Sequence, residues 1–286
     1  MKRRTFIGIA VLWLSLTVHS VWAQALSFTA IPDEDAEVLQ HRFTQIATYL
    51  QQQLGIDVHY IPVNSYAEAV AAFADNKMQL AWFGGLSGVQ ARRIVPGSEA
   101  IAQGYEDQFF KSYFIAHHSS QLSATGSFPS LNGLSFTFGS RHSTSGRLMP
   151  QFFIERNLGK RPEDIFSRIG FSGDHSQTIA QVQSGQYQVG AVNYMVWESA
   201  LAAGKVDTNK VKVIWESPAY PDCQWTVRQG IDQVWGKGFK QKLAGVLINM
   251  DEPELLQSFS RQSFVPAVNQ DYQPIEDLAR SIGLLP

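Results

Sequence analysis

Strand-like and helix-like segments alternate along almost the whole chain, and this alternation limits the possible fold more than any other feature. Residues 26–32 read as a strand, and 34–54 as a helix with apolar residues at Leu39, Phe43, Ile46, Leu50 and Leu54. A strand at 58–63, a helix at 66–74 and a strand at 80–83, ending in Gly84-Gly85, continue the pattern. This order predicts parallel-type sheets covered by helices on both faces. Extended segments follow at 100–104 and 112–116, and then a polar, turn-rich stretch at 118–133 changes the composition. A second set starts at Leu134, with strands at 134–138, 168–171, 189–193 and 211–215 and helices at 146–158, 176–184 and 195–203. An extended piece at 224–227 precedes C-terminal helices at 237–248 and 275–282.

Two α/β lobes follow from this arrangement. Residues 24–117 with 220–286 make the first, and 118–219 make the second. If the C-terminal helices return to the first lobe, the chain crosses between lobes twice, which makes a hinge, and the interface between domains is where small ligands usually bind. The sequence carries no internal repeat of fixed period, low-complexity run or block of like charge.

The N-terminus predicts export. Lys2, Arg3 and Arg4 precede a short apolar run at 6–18, and Val21-Trp22-Ala23 ends in a small residue. This is the pattern of a cleavable signal peptide at 1–23, with Ala25 as an alternative cut, and the run is too short for the roughly 20 residues that span a bilayer. The Arg3-Arg4-Thr5-Phe6-Ile7 run partly matches a twin-arginine leader, so the export route stays open. Removing the leader leaves 20 basic residues against 25 acidic ones, a net charge of about −5. Such a chain is a poor nucleic-acid binder, and it must hold any anion with local donors rather than a general positive field. The lone cysteine, Cys223, forms no intramolecular disulfide, so stability rests on the core; the residue itself reads as a small buried apolar group.

Residues 139–146, Gly-Ser-Arg-His-Ser-Thr-Ser-Gly, concentrate hydroxyls between a strand and a helix start. Main-chain N–H groups in the first turn of a helix lack intrahelical partners, and the helix dipole adds positive charge there, so such a junction suits an anion. A plain helix cap accounts for one of these hydroxyls equally well. Asp174 reads as the cap of the helix that follows it. Catalytic patterns are poor. Gly85-Leu86-Ser87-Gly88-Val89 breaks the nucleophile-elbow motif at its last position, and His117-His118 on a strand would point to opposite faces. The sequence calls for no cofactor and no metal.

Taken in order, several segments resemble the phosphate-, phosphite- and phosphonate-type periplasmic substrate-binding proteins of ABC transporters. They are Leu80-Ala81-Trp82-Phe83-Gly84, Ser143-Thr144-Ser145-Gly146 with Pro150, Gly173-Asp174-His175-Ser176, Gly190-Ala191-Val192-Asn193 and Ser217-Pro218-Ala219-Tyr220-Pro221-Asp222. The resemblance spans essentially the whole chain after the leader. It implies a two-lobed α/β fold of type II topology with two hinge crossovers, a periplasmic monomer, a small tetrahedral oxyanion as ligand and an ABC permease as partner. It also assigns roles: Ser143, Thr144 and Ser145 as oxyanion-binding hydroxyls, Tyr66 as a phenol from the opposite wall, and His175 as a ligand contact.

Two positions depart from the family pattern. Phe83 stands where phosphonate binders often carry a second tyrosine, so it offers an apolar wall. Asn193 stands where binders of protonated phosphorus oxyanions often carry a carboxylate; an amide there favours a ligand with no proton to give, such as sulfate or selenate. The sequence resembles most closely a branch assigned to selenate transport. The resemblance also implies that the Tyr220-Pro221-Asp222 turn lines the cleft, where Asp222 can accept a ligand proton; the alternative is an Asx-type turn residue with no role toward the ligand, and the phosphorus reading recovers if Asp222 points at the ligand. The alternative function is a periplasmic hydrolase of phosphate or sulfate esters built on Ser143 and His175.

Overall fold

The computed structural model describes residues 24–285; the signal-peptide reading of 1–23 lies outside them. The first sheet contains β1 (Leu26–Ala30), β2 (Val58–Tyr60), β3 (Leu80–Phe83) and β4 (Glu99–Gly104). The second contains β5 (Ser112–His117), β6 (Ser135–Phe138), β7 (Arg168–Phe171), β8 (Val189–Asn193) and β9 (Val211–Glu216). The chain then returns to the first sheet with β10 (Gln224–Val227) and β11 (Phe264–Pro266).

Across the sheets the orders are β11-β4-β10-β3-β1-β2 and β7-β6-β8-β5-β9. Both lobes therefore repeat one plan: second strand, first, third, a strand next to a crossover, fourth. The β1–β2, β1–β3, β6–β7 and β6–β8 pairs are parallel, as the alternation predicts. β5 and β10, the strands next to the crossovers, run antiparallel to both their neighbours.

One boundary needs correction. The composition shift at 118 puts residues 112–117 in the first lobe, but β5 pairs with β8 and β9 in the second sheet. The first crossover is the stretch between β4 and β5, and the polar 118–133 stretch follows β5 within the second lobe. Polar composition marks exposure to water, not the point where a chain changes lobes. The second crossover, between β9 and β10, agrees with the expected position near 220. The two crossovers pair with each other: Phe110 N donates to Tyr220 O (2.9 Å) and Tyr220 N to Phe110 O (3.0 Å).

In the first lobe α1 (Ala36–Leu54) buries Leu39, Phe43, Ile46, Leu50 and Leu54, the stripe its sequence shows. Behind it Phe28, Trp82, Trp225 and Phe259 pack with ring centroids 5.2–6.3 Å apart. Among the elements that escape the sequence pattern are α3 (Gly85–Ile94), α10 (Pro253–Phe259) and β11. α3 contains Gly85 and Gly88, poor helix formers, and its burial against the cleft overrides that propensity. His117 and His118 do not alternate either, because β5 ends at His117; their rings lie 4.1 Å apart. Cys223 is buried, as expected.

In the second lobe α6 (His175–Gln183) lies close on β8 at Gly190, where a Cβ would sit 2.8 Å from Val182 Cγ2 and 3.0 Å from Thr178 Cγ2. That close approach is what brings the first residue of α6, His175, to the end of β8. Gly190→Val should therefore overpack the α6–β8 contact and lower the unfolding free energy by about 1–3 kcal/mol. Chemical denaturation checks this, and a stability within about 0.5 kcal/mol of wild type would contradict the packing described.

Candidate functional site

The hydroxyl run forms a widened helical turn. Thr144–Leu148 is one turn of π-helix, closed by Leu148 N donating to Ser143 O five residues back (3.1 Å). It runs into α4 (Met149–Leu158), so the helical segment starts at Thr144, just before the expected Gly146. Pro150 accounts for the wide turn: it has no N–H to donate to Gly146 O, and Gly139 N takes that carbonyl instead (2.8 Å). Gly146 leaves no room for a side chain, since a Cβ there would lie 3.0 Å from His175 Cε1 and 3.1 Å from Gly139 Cα.

Each hydroxyl of the run has a defined neighbour. Ser143 Oγ accepts from Gly146 N (2.9 Å), the capping bond, and a side-chain hydrogen bond also joins it to Tyr66 of the opposite lobe. Thr144 Oγ1 accepts from Leu86 N in the first turn of α3 (3.0 Å) and is hydrogen-bonded to Asp222. Ser145 Oγ lies 3.4 Å from His175 Nε2. The hydrolase pairing of Ser143 with His175 is therefore not what the geometry presents. Ser145 O accepts from Ser112 Oγ (2.7 Å), and Ser112 Oγ is 2.6 Å from Tyr220 OH, so the hinge phenol donates to Ser112.

On the opposite wall Tyr66 starts α2 (Tyr66–Ala74), whose first turn is capped by Ser65 Oγ accepting from Glu68 N (3.1 Å). Burial, followed by the nearby Asp33 carboxyl, pushes the Tyr66 phenol well above its ordinary range, so it stays a neutral donor. Asp222 Oδ1 accepts from Gly85 N (2.7 Å). Asp222 is thus a cleft residue, 2 % exposed, and burial pushes its carboxyl up to about 7 against the hydrogen bonds from Thr144 and Gly85. Gly84 permits this approach: a Cβ there would lie 3.1 Å from Asp222 Oδ1 and 3.3 Å from Thr144 Oγ1.

His175 is held on two sides. Its Nδ1 accepts from Asn193 N (3.2 Å), which places the ring hydrogen on Nε2, toward Ser145. Its main-chain N donates to Asp33 O across the cleft (2.9 Å), and burial lowers the ring to about 3, so it is neutral at physiological pH. Asp174 caps α6 as expected, accepting from Gln177 N (2.7 Å). Asn193 Oδ1 caps α7 (Tyr194–Ala202) by accepting from Met195 N (2.8 Å) and Val196 N (3.4 Å), leaving its NH2 for other partners. Phe83 packs edge-on against Phe73 (5.5 Å) in the core of the first lobe.

The sequence reading missed Asp33. It follows β1, is 7 % exposed, and burial together with the Glu34 charge pushes its carboxyl up. The available signal was its place at the carboxyl end of a parallel strand, where open α/β sheets bind ligands. Arg147, the cation of the π turn, lies over the Phe138 and Phe171 rings (4.4 and 5.2 Å). Among the described residues no group of three or more His, Cys, Asp or Glu is placed to hold a metal ion. The site therefore offers hydroxyls, a phenol, a neutral imidazole N–H and two buried carboxyls, Asp222 and Asp33, that burial pushes up from the ordinary carboxylate range, a set suited to a tetrahedral anion that shares a proton.

Residues 28–272 match the family model for the phosphonate periplasmic substrate-binding protein of ABC transporters. The probable ABC transporter phosphite binding protein PhnD1 of Prochlorococcus marinus (strain MIT 9301) is 37% identical over 268 residues, 91% of this chain and 90% of the relative. The structure of that protein in complex with methylphosphonate superposes with a TM-score of 0.86, covering 91% of this chain and 99% of that one. The phosphonates-binding periplasmic protein of Escherichia coli (strain K12) is 24% identical, over 90% of this chain and 76% of the relative.

The neutral, buried His175 has a pH signature. Its folded pKa of about 3 lies below the ordinary 6.5, so the unfolded chain takes up a proton that the folded ring refuses. The stability it contributes is full above 6.5 and is lost as pH falls toward 3. The stability of wild type minus that of His175→Gln should drop by about 2 kcal/mol between about pH 7 and about pH 5. Urea unfolding at the two pH values measures it, and a constant difference would mean the ring is already solvated.

Proposed function

We propose that this chain, which belongs to the phosphonate periplasmic substrate-binding proteins of ABC transporters, binds phosphite or a short phosphonate such as methylphosphonate. The supporting observation is Asp222, a buried carboxyl near neutrality that receives Gly85 N of one lobe and the Thr144 hydroxyl of the other. Phosphate monoesters lose their last proton around pH 6, and phosphite and the alkylphosphonates are likewise dibasic acids whose last proton leaves near neutrality. Such a ligand and Asp222 titrate in the same range, so the pair holds one proton between them whichever partner carries it. Sulfate and selenate bring no proton, so they depend on the fraction of protein in which Asp222 carries one and are repelled as the pH rises above about 7.

Asn193 spends its carbonyl oxygen on the α7 cap and keeps its NH2 as a donor, which serves a tetrahedral oxyanion with or without a proton, so Asn193 alone does not decide between the ligand classes. Ligand size follows from enclosure. Tyr66, Ser143, Thr144, Ser145, His175, Asn193 and Asp222 are each at most 5 % exposed. A cavity of 420 Å³ between the lobes is lined by the residues immediately after Asp33 and His175, whose main chains are bonded together. A hydrogen or methyl substituent suits such a site. Family members bind substrates for transport and are not enzymes, which sets the hydrolase reading aside. Export by the 1–23 leader, function as a monomer in the periplasm and delivery to an ABC permease complete the proposal.

Calorimetry at about pH 7 tests it. Wild type should bind phosphite or methylphosphonate in preference to sulfate and selenate, and Asp222→Asn should weaken the phosphorus ligands by about 1.5–3 kcal/mol, at least tenfold. Selenate or sulfate binding tightest, with Asp222→Asn leaving the ranking unchanged, would overturn the assignment.

A further inference from the structure

We propose that Asp107 and Arg261 act as a positioning pair that fixes both the place and the charge of the Asp222 carboxyl. Asp107 sits in the short 3₁₀ turn Tyr105–Phe109 of the first crossover and is fully buried. Its carboxylate accepts from Gly104 N (3.0 Å), Arg261 Nε (3.1 Å) and Arg261 Nη2 (2.6 Å). Its main-chain oxygen accepts from Asp222 N (2.9 Å). One residue thus grips the C-terminal segment with its side chain and the cleft acid with its backbone. Arg261 lies between α10 and β11, with its side chain 7 % exposed and its guanidinium 5.5 Å from the Trp82 ring centre.

A buried ion pair adds little stability over a well-packed apolar pair, so its electrostatic effect on neighbours is what sets it apart. The groups around Asp222 come from several elements. Thr144 from the π turn and Gly85 N from α3 stabilise its ionised form; Tyr66 from α2 and Tyr220 and Cys223 from the second crossover are buried and neutral. Two fixed charges remain, and they oppose each other. Arg261 favours the ionised carboxyl and Asp107 the protonated one. Asp33, itself buried, also feels Arg261. Breaking the pair from either side should therefore move Asp222 in opposite directions, whereas a merely structural role would move it the same way from both.

The test is a ¹³C NMR titration of the Asp222 carboxyl in ligand-free protein, with the resonance assigned by its loss in Asp222→Asn. Asp107→Asn should lower the midpoint by at least about half a pH unit, and Arg261→Gln should raise it by a similar amount. The double variant, which removes both charges, should return to within about 0.3 of wild type. If Arg261→Gln does not fold, Asp107→Asn and the charge-balanced double variant decide alone. An Asp107→Asn midpoint at or above wild type, or single variants shifting the same way, overturns the proposal. The consequence for ligand choice rests on the phosphorus-anion reading, but the titration does not, because it uses no ligand. Failure of phosphite and methylphosphonate to bind wild type would overturn that reading and leave this one standing on the NMR result.

Discussion

Three segments distant in sequence meet at the first turn of α3, and the cleft depends on how its main-chain N–H groups are satisfied. Gly85 N is taken by Asp222 from the second crossover, and Leu86 N by Thr144 from the other lobe. Buried N–H groups left unpaired cost about 1–3 kcal/mol each, so these acceptors are held firmly in place. The arrangement needs Gly84, because any side chain there would press on Asp222 and Thr144. On the proposed reading, Asp222 both caps the start of α3 through Gly85 N and shares a proton with the ligand, with the hydroxyls, the Tyr66 phenol and the His175 N–H as the remaining donors.

The hinge is coupled to this site through hydrogen bonds that can be followed atom by atom. Phe110 and Tyr220 tie the two crossovers together, and the Tyr220 phenol reaches Ser112, whose hydroxyl holds Ser145 O in the π turn. Direct contacts between the lobes are polar, as in His175 N to Asp33 O (2.9 Å), Leu86 N to Thr144 Oγ1 (3.0 Å), His142 Nδ1 to Gln90 Oε1 (2.9 Å) and Lys205 to Asp35 (2.8 Å), and apolar, where Leu86, Val89 and Ile275 of the first lobe pack in one buried cluster with Leu148, Met149 and Phe153 of the second. Polar contacts of this kind add only about 0.5–1.5 kcal/mol each.

Much of the fold was legible because burial leaves a period in the sequence. The stripe from Leu39 to Leu54 and the apolar runs of β1, β3, β6 and β8 identify themselves. α3 does not, because its glycines serve close approach rather than helix propensity, and β5 was assigned to the wrong lobe because turn composition reports exposure and not connectivity. The hydroxyl run and the His175 junction stood out as a strand feeding a helix start. Their partners did not. That Thr144 reaches Leu86, that Asn193 spends its oxygen on a cap, and that Asp33 is buried beside Tyr66 depend on segments that meet only in three dimensions.

The central claim is that Asp222 and the ligand share one proton. Calorimetry of methylphosphonate binding in buffers of different ionisation enthalpy counts the protons that move on binding. Free Asp222 and free ligand together hold about two protons at about pH 5.5 and almost none at about pH 8.5, while the complex holds one throughout. Binding should therefore release close to one proton at the lower pH and take up close to one at the higher, with a sign change midway between the last pKa of the free ligand and the value of about 7 to which burial pushes the Asp222 carboxyl. A proton count that keeps the same sign across that range would contradict the account.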